Sequence, residues 1–283
     1  MKKFNNLFFK MMGMASALVF FQGCTEPKSM DSPTIETMTC DTTVFLKENI
    51  KSSPSCKIDF SLDFLKSCQD SDSTVYNTNK MLVRSIEEGI PPIHTPEDFI
   101  QQLRDTLIFN YRQDLDKLYE YDLRNGMKDH ELPGWYNYEY NISAKLAQGQ
   151  EHIWNYRISH YSYTGGAHPN SYQKWINITD QGKLLTKEDV FLPNTDAAVC
   201  ELILKELIRT ANERMETDTI TGIQGLQEYG ILQMNGLYIP DNFLLEKEGI
   251  RFLYNPYDIA PYAVGSFELE VPYQELNTYL IKH

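Results

Sequence analysis

The amino-acid sequence predicts an α+β fold: an antiparallel β-sheet with helices packed on one face, built as two intimately associated subdomains. Two patterns carry that prediction. Apolar residues alternate with polar ones in several short runs bounded by Gly, Pro and Asn, as in half-buried strands. Between these runs lie longer stretches in which apolar residues recur at helical spacing. Strands in short-range succession, interrupted by helices, lay those helices against an antiparallel sheet.

In chain order, Ile58, Phe60, Leu62 and Phe64 alternate with Asp59, Ser61 and Asp63, which makes a strand with one buried face. Val75 to Glu88 is helical, with Leu82, Val83 and Ile86 inward and Gly89 as its stop. Thr95-Pro96-Glu97-Asp98 opens a long helix: Thr95 is an N-cap and Pro96 suits the first helical position. Phe99, Leu103, Leu107, Tyr111, Leu115 and Leu118 form its apolar stripe. Three strands follow as a meander. The first carries Tyr136, Tyr138, Tyr140, Ile142, Ala144 and Leu146 on one face, the second Trp154, Tyr156 and Ile158, and the third runs from Tyr172 to Thr179. Gly149 and Asp180-Gln181-Gly182-Lys183 supply turns. A helix spans Asp196 to about Met215, with Cys200, Leu204, Leu207 and Ala211 inward. Residues 221–236 show no clear period. A hairpin around Glu248-Gly249, a strand over Phe267–Tyr273 and a short closing helix complete the chain.

The N-terminus is basic at Lys2, Lys3 and Lys10 and apolar and uncharged from Met11 to Phe21. That run falls short of the ~20 apolar residues needed to span a bilayer. It has the build of a secretory signal. Phe21-Gln22-Gly23-Cys24 resembles the lipobox of bacterial lipoproteins, with Phe21 where Leu is usual. The resemblance implies that Cys24 is acylated and anchors the chain in a bilayer, at the outer membrane or the periplasmic face of the cell envelope. Residues 1–23 are then the signal peptide. Residues 24–55, rich in Ser, Thr and Pro, read as a flexible tether. The two subdomains follow at 56–168 and 169–283.

Removing three lysines with residues 1–23 turns the net charge of −13 into −16. That excludes nucleic acid as a partner, because phosphate binding needs a basic face. It suits a basic protein or a cationic ligand. Cys40, Cys56, Cys68 and Cys200 lie in an oxidising compartment, so disulfides are allowed, but spacing alone does not set their pairing. The sequence contains no CxxC, HExxH, G-x-S-x-G, G-x-G-x-x-G or Walker A motif, so no cofactor or metal is expected. Ser171-Tyr172-Gln173-Lys174 matches S-x-x-K but lacks the partner K-T-G.

A more specific set occupies the C-terminal half. It comprises Tyr161-Ser162-Tyr163-Thr164-Gly165-Gly166-Ala167-His168, Gly182-Lys183-Leu184-Leu185-Thr186 and the stretch from Tyr254-Asn255-Pro256-Tyr257 through Tyr262-Ala263-Val264-Gly265. This resembles the extracytoplasmic domain of the anti-sigma factor RsiV, known as domain of unknown function 3298. The part from about Cys56 to Tyr163 resembles its usual N-terminal companion, domain of unknown function 4163, also found beside a peptidoglycan deacetylase catalytic domain. The resemblance implies an envelope domain, and in RsiV that domain binds lysozyme, a basic protein. Unlike RsiV, the sequence is not expected to carry a sigma-binding segment, a transmembrane helix or a deacetylase module.

The expected function is therefore a non-catalytic binding or sensing module for an envelope protein such as lysozyme, or for peptidoglycan or another glycan. Its candidate binding residues are Tyr163, Gly165, Gly166, His168, Tyr254, Asn255, Tyr257 and Tyr262. The stretch Tyr254–Gly265 is expected to form a rigid corner beneath the turn that bears His168. Trp135, Trp154, Tyr161, Tyr163 and Trp175 form a second, aromatic candidate for stacking on sugars, set against plain core packing. One alternative is a cell-wall hydrolase centred on His168, which requires that imidazole to meet an Asp or Glu in an open cleft. Another is a structural envelope protein with no soluble ligand.

Overall fold

The computed structural model describes residues 33–48, 50–66, 73–87, 95–233 and 236–281. Cys24, the signal segment and Cys68 lie outside that range. The fold is α+β, with two sheets and six α-helices among the described residues.

The first sheet orders its strands β1 (Thr34–Phe45), β2 (Ser55–Lys66), β3 (Tyr138–Gln148), β4 (Ile153–Tyr163), β5 (Asn170–Thr179) and β6 (Leu184–Leu185) in sequence order. The meander β3–β4–β5 is antiparallel. One pair, β2–β3, is parallel. The chain between those two strands makes a crossover, as parallel pairing demands. It carries helix α1 (Ser73–Ile86) and helix α2 (Pro96–Arg124).

Strand β1 corrects the tether expected over residues 24–55. Twelve of those residues pair without interruption against β2. Their inward positions, Met38, Cys40 and Val44, pack only partly into the core, and the rest is mainly Thr. An edge strand buries one face at most, so its apolar alternation is faint. Threonine reads as linker by polarity and as strand by its β-branch.

Helix α2 starts as expected: the Thr95 hydroxyl accepts from Asp98 N at 3.1 Å, with Pro96 behind it. Its buried line is Phe99, Leu103, Tyr111, Leu115 and Tyr119. Leu118 is exposed, because four-residue steps from Leu115 land on Tyr119. Helices α1 and α2 cover the face of the sheet that carries Ile58, Phe60, Leu62, Ile142, Ala144, Tyr156 and Ile158.

A second core forms around β7 (Phe243–Leu245), β8 (Gly249–Tyr254) and β9 (Phe267–Pro272), an antiparallel three-stranded sheet. Helices α3 (Lys187–Val190), α4 (Asp196–Arg214), α5 (Ile223–Glu228) and α6 (Tyr273–Leu276) accompany it. In α4 the buried residues are Val199, Ile203, Leu207 and Ala211. Cys200 and Leu204 sit half-buried beside that line. Ile176 and Ile178 of β5 still belong to the first core, and Leu185 to the second. Strand β5 therefore packs into the first core, and the chain enters the second core after it.

Asparagine side chains join the two sheets. Asn177 is 1% exposed; it donates to Phe243 O at 2.9 Å and accepts from Leu245 N at 2.8 Å and from the Asn155 amide at 2.9 Å. Asn242 accepts from Trp175 N at 3.0 Å. Trp175, Leu244 and Leu253 form a small apolar cluster of their own. Gly149 lets the β3–β4 turn approach β7: a Cβ there would lie 2.2 Å from Leu245 O.

Cys40, Cys56 and Cys200 are free thiols. In the β1–β2 register Cys40 faces Phe60 and Cys56 faces Val44, four residues apart. That offset is too long for a disulfide. Burial pushes the Cys56 thiol up to about 12.

Candidate functional site

The turn from Tyr163 to Asn170 joins β4 to β5. Gly165 holds φ +84°, and a Cβ on it would lie 2.7 Å from Trp135 O, so the position admits glycine alone. Gly166 has only His168 O nearby, at 3.6 Å. His168 is exposed, with Nδ1 2.9 Å from Pro169 O. Its ring stacks on Tyr262 with centroids 5.2 Å apart and planes 25° apart. Tyr163 is half-buried.

Tyr262 belongs to the loop after β8. Asn255 fixes that loop to β5 as a two-point clamp. Its Oδ1 accepts from Gln173 N at 2.8 Å, and its Nδ2 donates to Gln173 O at 2.8 Å. Asp258 N then donates to Asn255 O at 3.1 Å, closing the turn Asn255-Pro256-Tyr257-Asp258. Pro256 occupies the second position. Tyr257, in the third, has φ +75°. That is a type II arrangement, whose third position is ordinarily glycine. The tyrosine there is strained, yet 64% exposed, and its ring lies 5.9 Å from that of Tyr262. Arg214 braces the far end by donating to Val264 O and Ser266 O while lying over the Phe267 ring.

Tyr254 has a different task. It is fully buried, and its hydroxyl donates to Tyr238 O. Burial raises its pKa. Tyr254 and Asn255 therefore anchor the loop, while Tyr257, Tyr262 and His168 face outward as a three-ring strip. Gly165 shapes the turn that carries His168. The two sequence motifs do meet, and the corner stands beside the turn through the His168–Tyr262 stack.

Next to the strip is a cleft of about 400 Å³ lined by Gly230, Gln233, Tyr257, Asp258, Ile259, Ala260 and Pro261. The wall is mostly carbon, with one carboxylate. Asp258 accepts from Asn255 N at 2.7 Å, and burial raises its pKa. The side of the cleft formed by Gly230 and Gln233 comes from the stretch without a clear sequence period. Its link to the loop is the bond from Leu232 N to Ile259 O at 2.7 Å, a backbone contact that leaves no trace in side-chain pattern.

The second aromatic set is not one surface. Trp175 is buried between the sheets, Trp154 packs against the first core and Trp135 stacks on Tyr136. Among the described residues no group of His, Cys, Asp and Glu is arranged to hold a metal ion, and no helix is long and apolar enough to cross a membrane.

An α+β scaffold of two joined sheets, with an aromatic corner and apolar cleft at the loops after β4 and β8, defines the architecture. Family comparisons place two segments on it. Residues 188–274 match the model described as a protein of unknown function, DUF3298. Residues 76–171 match the model described as deacetylase PdaC. Two solved structures share the fold. A DUF3298 family member from Bacteroides fragilis NCTC 9343 superposes with a TM-score of 0.78 at 23% identity, covering 89% of this chain and 95% of that one. A DUF3298 family protein from Pseudomonas aeruginosa PAO1 gives 0.57 at 17% identity, covering 89% and 96%. Among curated proteins no match is found.

Proposed function

We propose that this chain is an extracytoplasmic binding or sensing module of the cell envelope, anchored in a bilayer through acylated Cys24. Its binding surface is the strip Tyr257–Tyr262–His168 with the adjoining cleft. One observation carries the reading: the strained, exposed Tyr257. A bulky residue at φ +75° costs about 1–3 kcal/mol, and such strain persists where the surroundings over-determine it. Here Pro256, the Asn255 clamp and the Asp258 acceptor do so, and the outcome is an aromatic ring held out into solvent.

Charge and lining support this choice of partner. A net charge of −16 for residues 24–283 steers a basic protein toward the surface. Tyrosine faces and a partly buried carboxylate suit a lysozyme-like protein. Flat exposed rings also suit peptidoglycan sugars. The hydrolase reading gains no support, because the polar group beside His168 Nδ1 is the Pro169 carbonyl and not a carboxylate.

The test is calorimetric titration of the protein with lysozyme and with soluble peptidoglycan fragments, beside Tyr257→Ala and Tyr262→Ala. Binding of one of the two, weakened about tenfold or more by each substitution, is the expected result. Failure of both ligands to bind, or binding indifferent to both substitutions, overturns the reading. Mass spectrometry of the chain from membranes checks the anchor: an unmodified Cys24 would remove it.

A further inference from the structure

The two edges of the first sheet are built differently. One ends in β6, two residues long. The other is β1, twelve residues long, with no described residue paired to its outer side. Sheet proteins blunt their edges with short strands, bulges, prolines or charged side chains, lysine above all. β6 is short. β1 has no Pro and no Lys; its charged residues are Glu36, paired with Lys66 of β2 at 3.0 Å, and the exposed Asp41. Its register with β2 runs through twelve consecutive pairs without a bulge. Ile35, on its outer face, is 44% exposed. Thr37, Thr39 and Thr43, all strand-formers, share that face with Ile35 and Asp41.

We propose that β1 pairs with β1 of a second copy, antiparallel, to join the two six-stranded sheets into one. A two-fold axis normal to the sheet must match residues of the same face, so each residue meets one an even number of positions from itself. That leaves two registers with eleven pairs, centred on Thr39 or on Cys40. The axis at Cys40 places Ile35 opposite Phe45, Thr37 opposite Thr43, Thr39 opposite Asp41 and Glu36 opposite Val44 of the other copy. Apolar meets apolar at both ends, threonine meets threonine, and no two carboxylates face each other. The axis at Thr39 sets Ile35 against Thr43 and leaves Phe45 beyond the pairing. An axis at Asp41 would oppose two carboxylates directly, which is destabilising. The self-complementary pattern selects Cys40 as the centre, and the occupant is therefore a second copy of this chain.

The test is sedimentation of the full chain, purified in detergent, over a concentration series. Thr39 is exposed, which makes it a clean handle. Thr39→Asp sets a carboxylate against Asp41 of the other copy twice and is expected to weaken the dimer about tenfold. Thr39→Lys sets an ammonium there twice and is expected to tighten it. Thr221→Lys, exposed and outside the strand, controls for the change in net charge and is expected to change nothing. A monomer at every concentration, an unchanged dimer in Thr39→Asp, or weakening by both Thr39 variants overturns the proposal; the last result would place the axis at Thr39. Should Thr39→Asp unfold, as seen by its melting curve, Thr39→Lys with Asp41→Lys provides an opposition of like charges at the same pair and is expected to weaken the dimer; an unchanged dimer there overturns the proposal.

Discussion

Replacing Tyr257 by glycine and, separately, by alanine inverts an ordinary rule. At an unstrained position glycine is less stable than alanine by about 0.5–1 kcal/mol, because it loses more freedom on folding. At φ +75° alanine keeps the clash of its Cβ with the neighbouring carbonyl, a cost of about 1–2 kcal/mol, and glycine has none. Both variants lose the same ring and its 5.9 Å contact with Tyr262, so that loss cancels between them. The net expectation is that Tyr257→Gly is more stable than Tyr257→Ala by about 1 kcal/mol. For a domain of this size that is a melting temperature higher by about 2–4 °C. Urea unfolding at fixed pH measures the difference directly. In the same samples, both variants are expected to bind the partner equally weakly, since the ring and not the backbone makes the contact. An alanine variant as stable as the glycine variant, or more so, would refute the strain argument. A glycine variant that binds like the wild type would refute the role of the ring.

Three further outcomes follow from the packing. Asn177→Ala leaves Leu245 N, Phe243 O and the Asn155 amide short of a partner inside the sheet–sheet junction, and a loss of about 2–4 kcal/mol in urea unfolding is expected. Gly149→Ala drives a Cβ to within 2.2 Å of Leu245 O and 2.3 Å of Asn155 Oδ1; a destabilisation of about 3 kcal/mol or more, read from the melting curve, checks the close approach of the β3–β4 turn to β7. His160 stacks on Tyr172 at 4.6 Å, and burial, with Lys174 adding, lowers its pKa from 6.5 to about 4. The unfolded chain then binds the proton more readily, so this group makes stability fall as pH drops from about 6.5 toward 4, by up to about 3 kcal/mol. His160→Phe is expected to flatten that part of the stability–pH curve; an unchanged slope would show that other groups carry it.

Much of this molecule was legible in its residues. The meander of β3, β4 and β5, the Thr95 cap, the span of α4 and the hairpin of β7 and β8 all follow from period and from turn residues, which are local properties. The aromatic corner was legible too. The Asn255-Pro256 start marks a turn, and the glycines of the Tyr163–Asn170 loop mark another.

What local pattern leaves open is whatever depends on the partner across space. Strand β1 is polar in composition, and it is a strand only because β2 offers a register for all twelve of its residues. The parallel pairing of β2 with β3 comes from a crossover of helices that no spacing rule specifies. Tyr254 and Tyr257 sit three apart in one motif with the same side chain, yet one is sealed in the core and the other is held in solvent. The sequence alone sets which segments extend, coil or turn, because those choices depend on neighbours along the chain. The tertiary structure decides which edge stays open, which tyrosine is offered and where the cleft lies, because those depend on backbone hydrogen bonds and asparagine clamps between segments far apart in sequence.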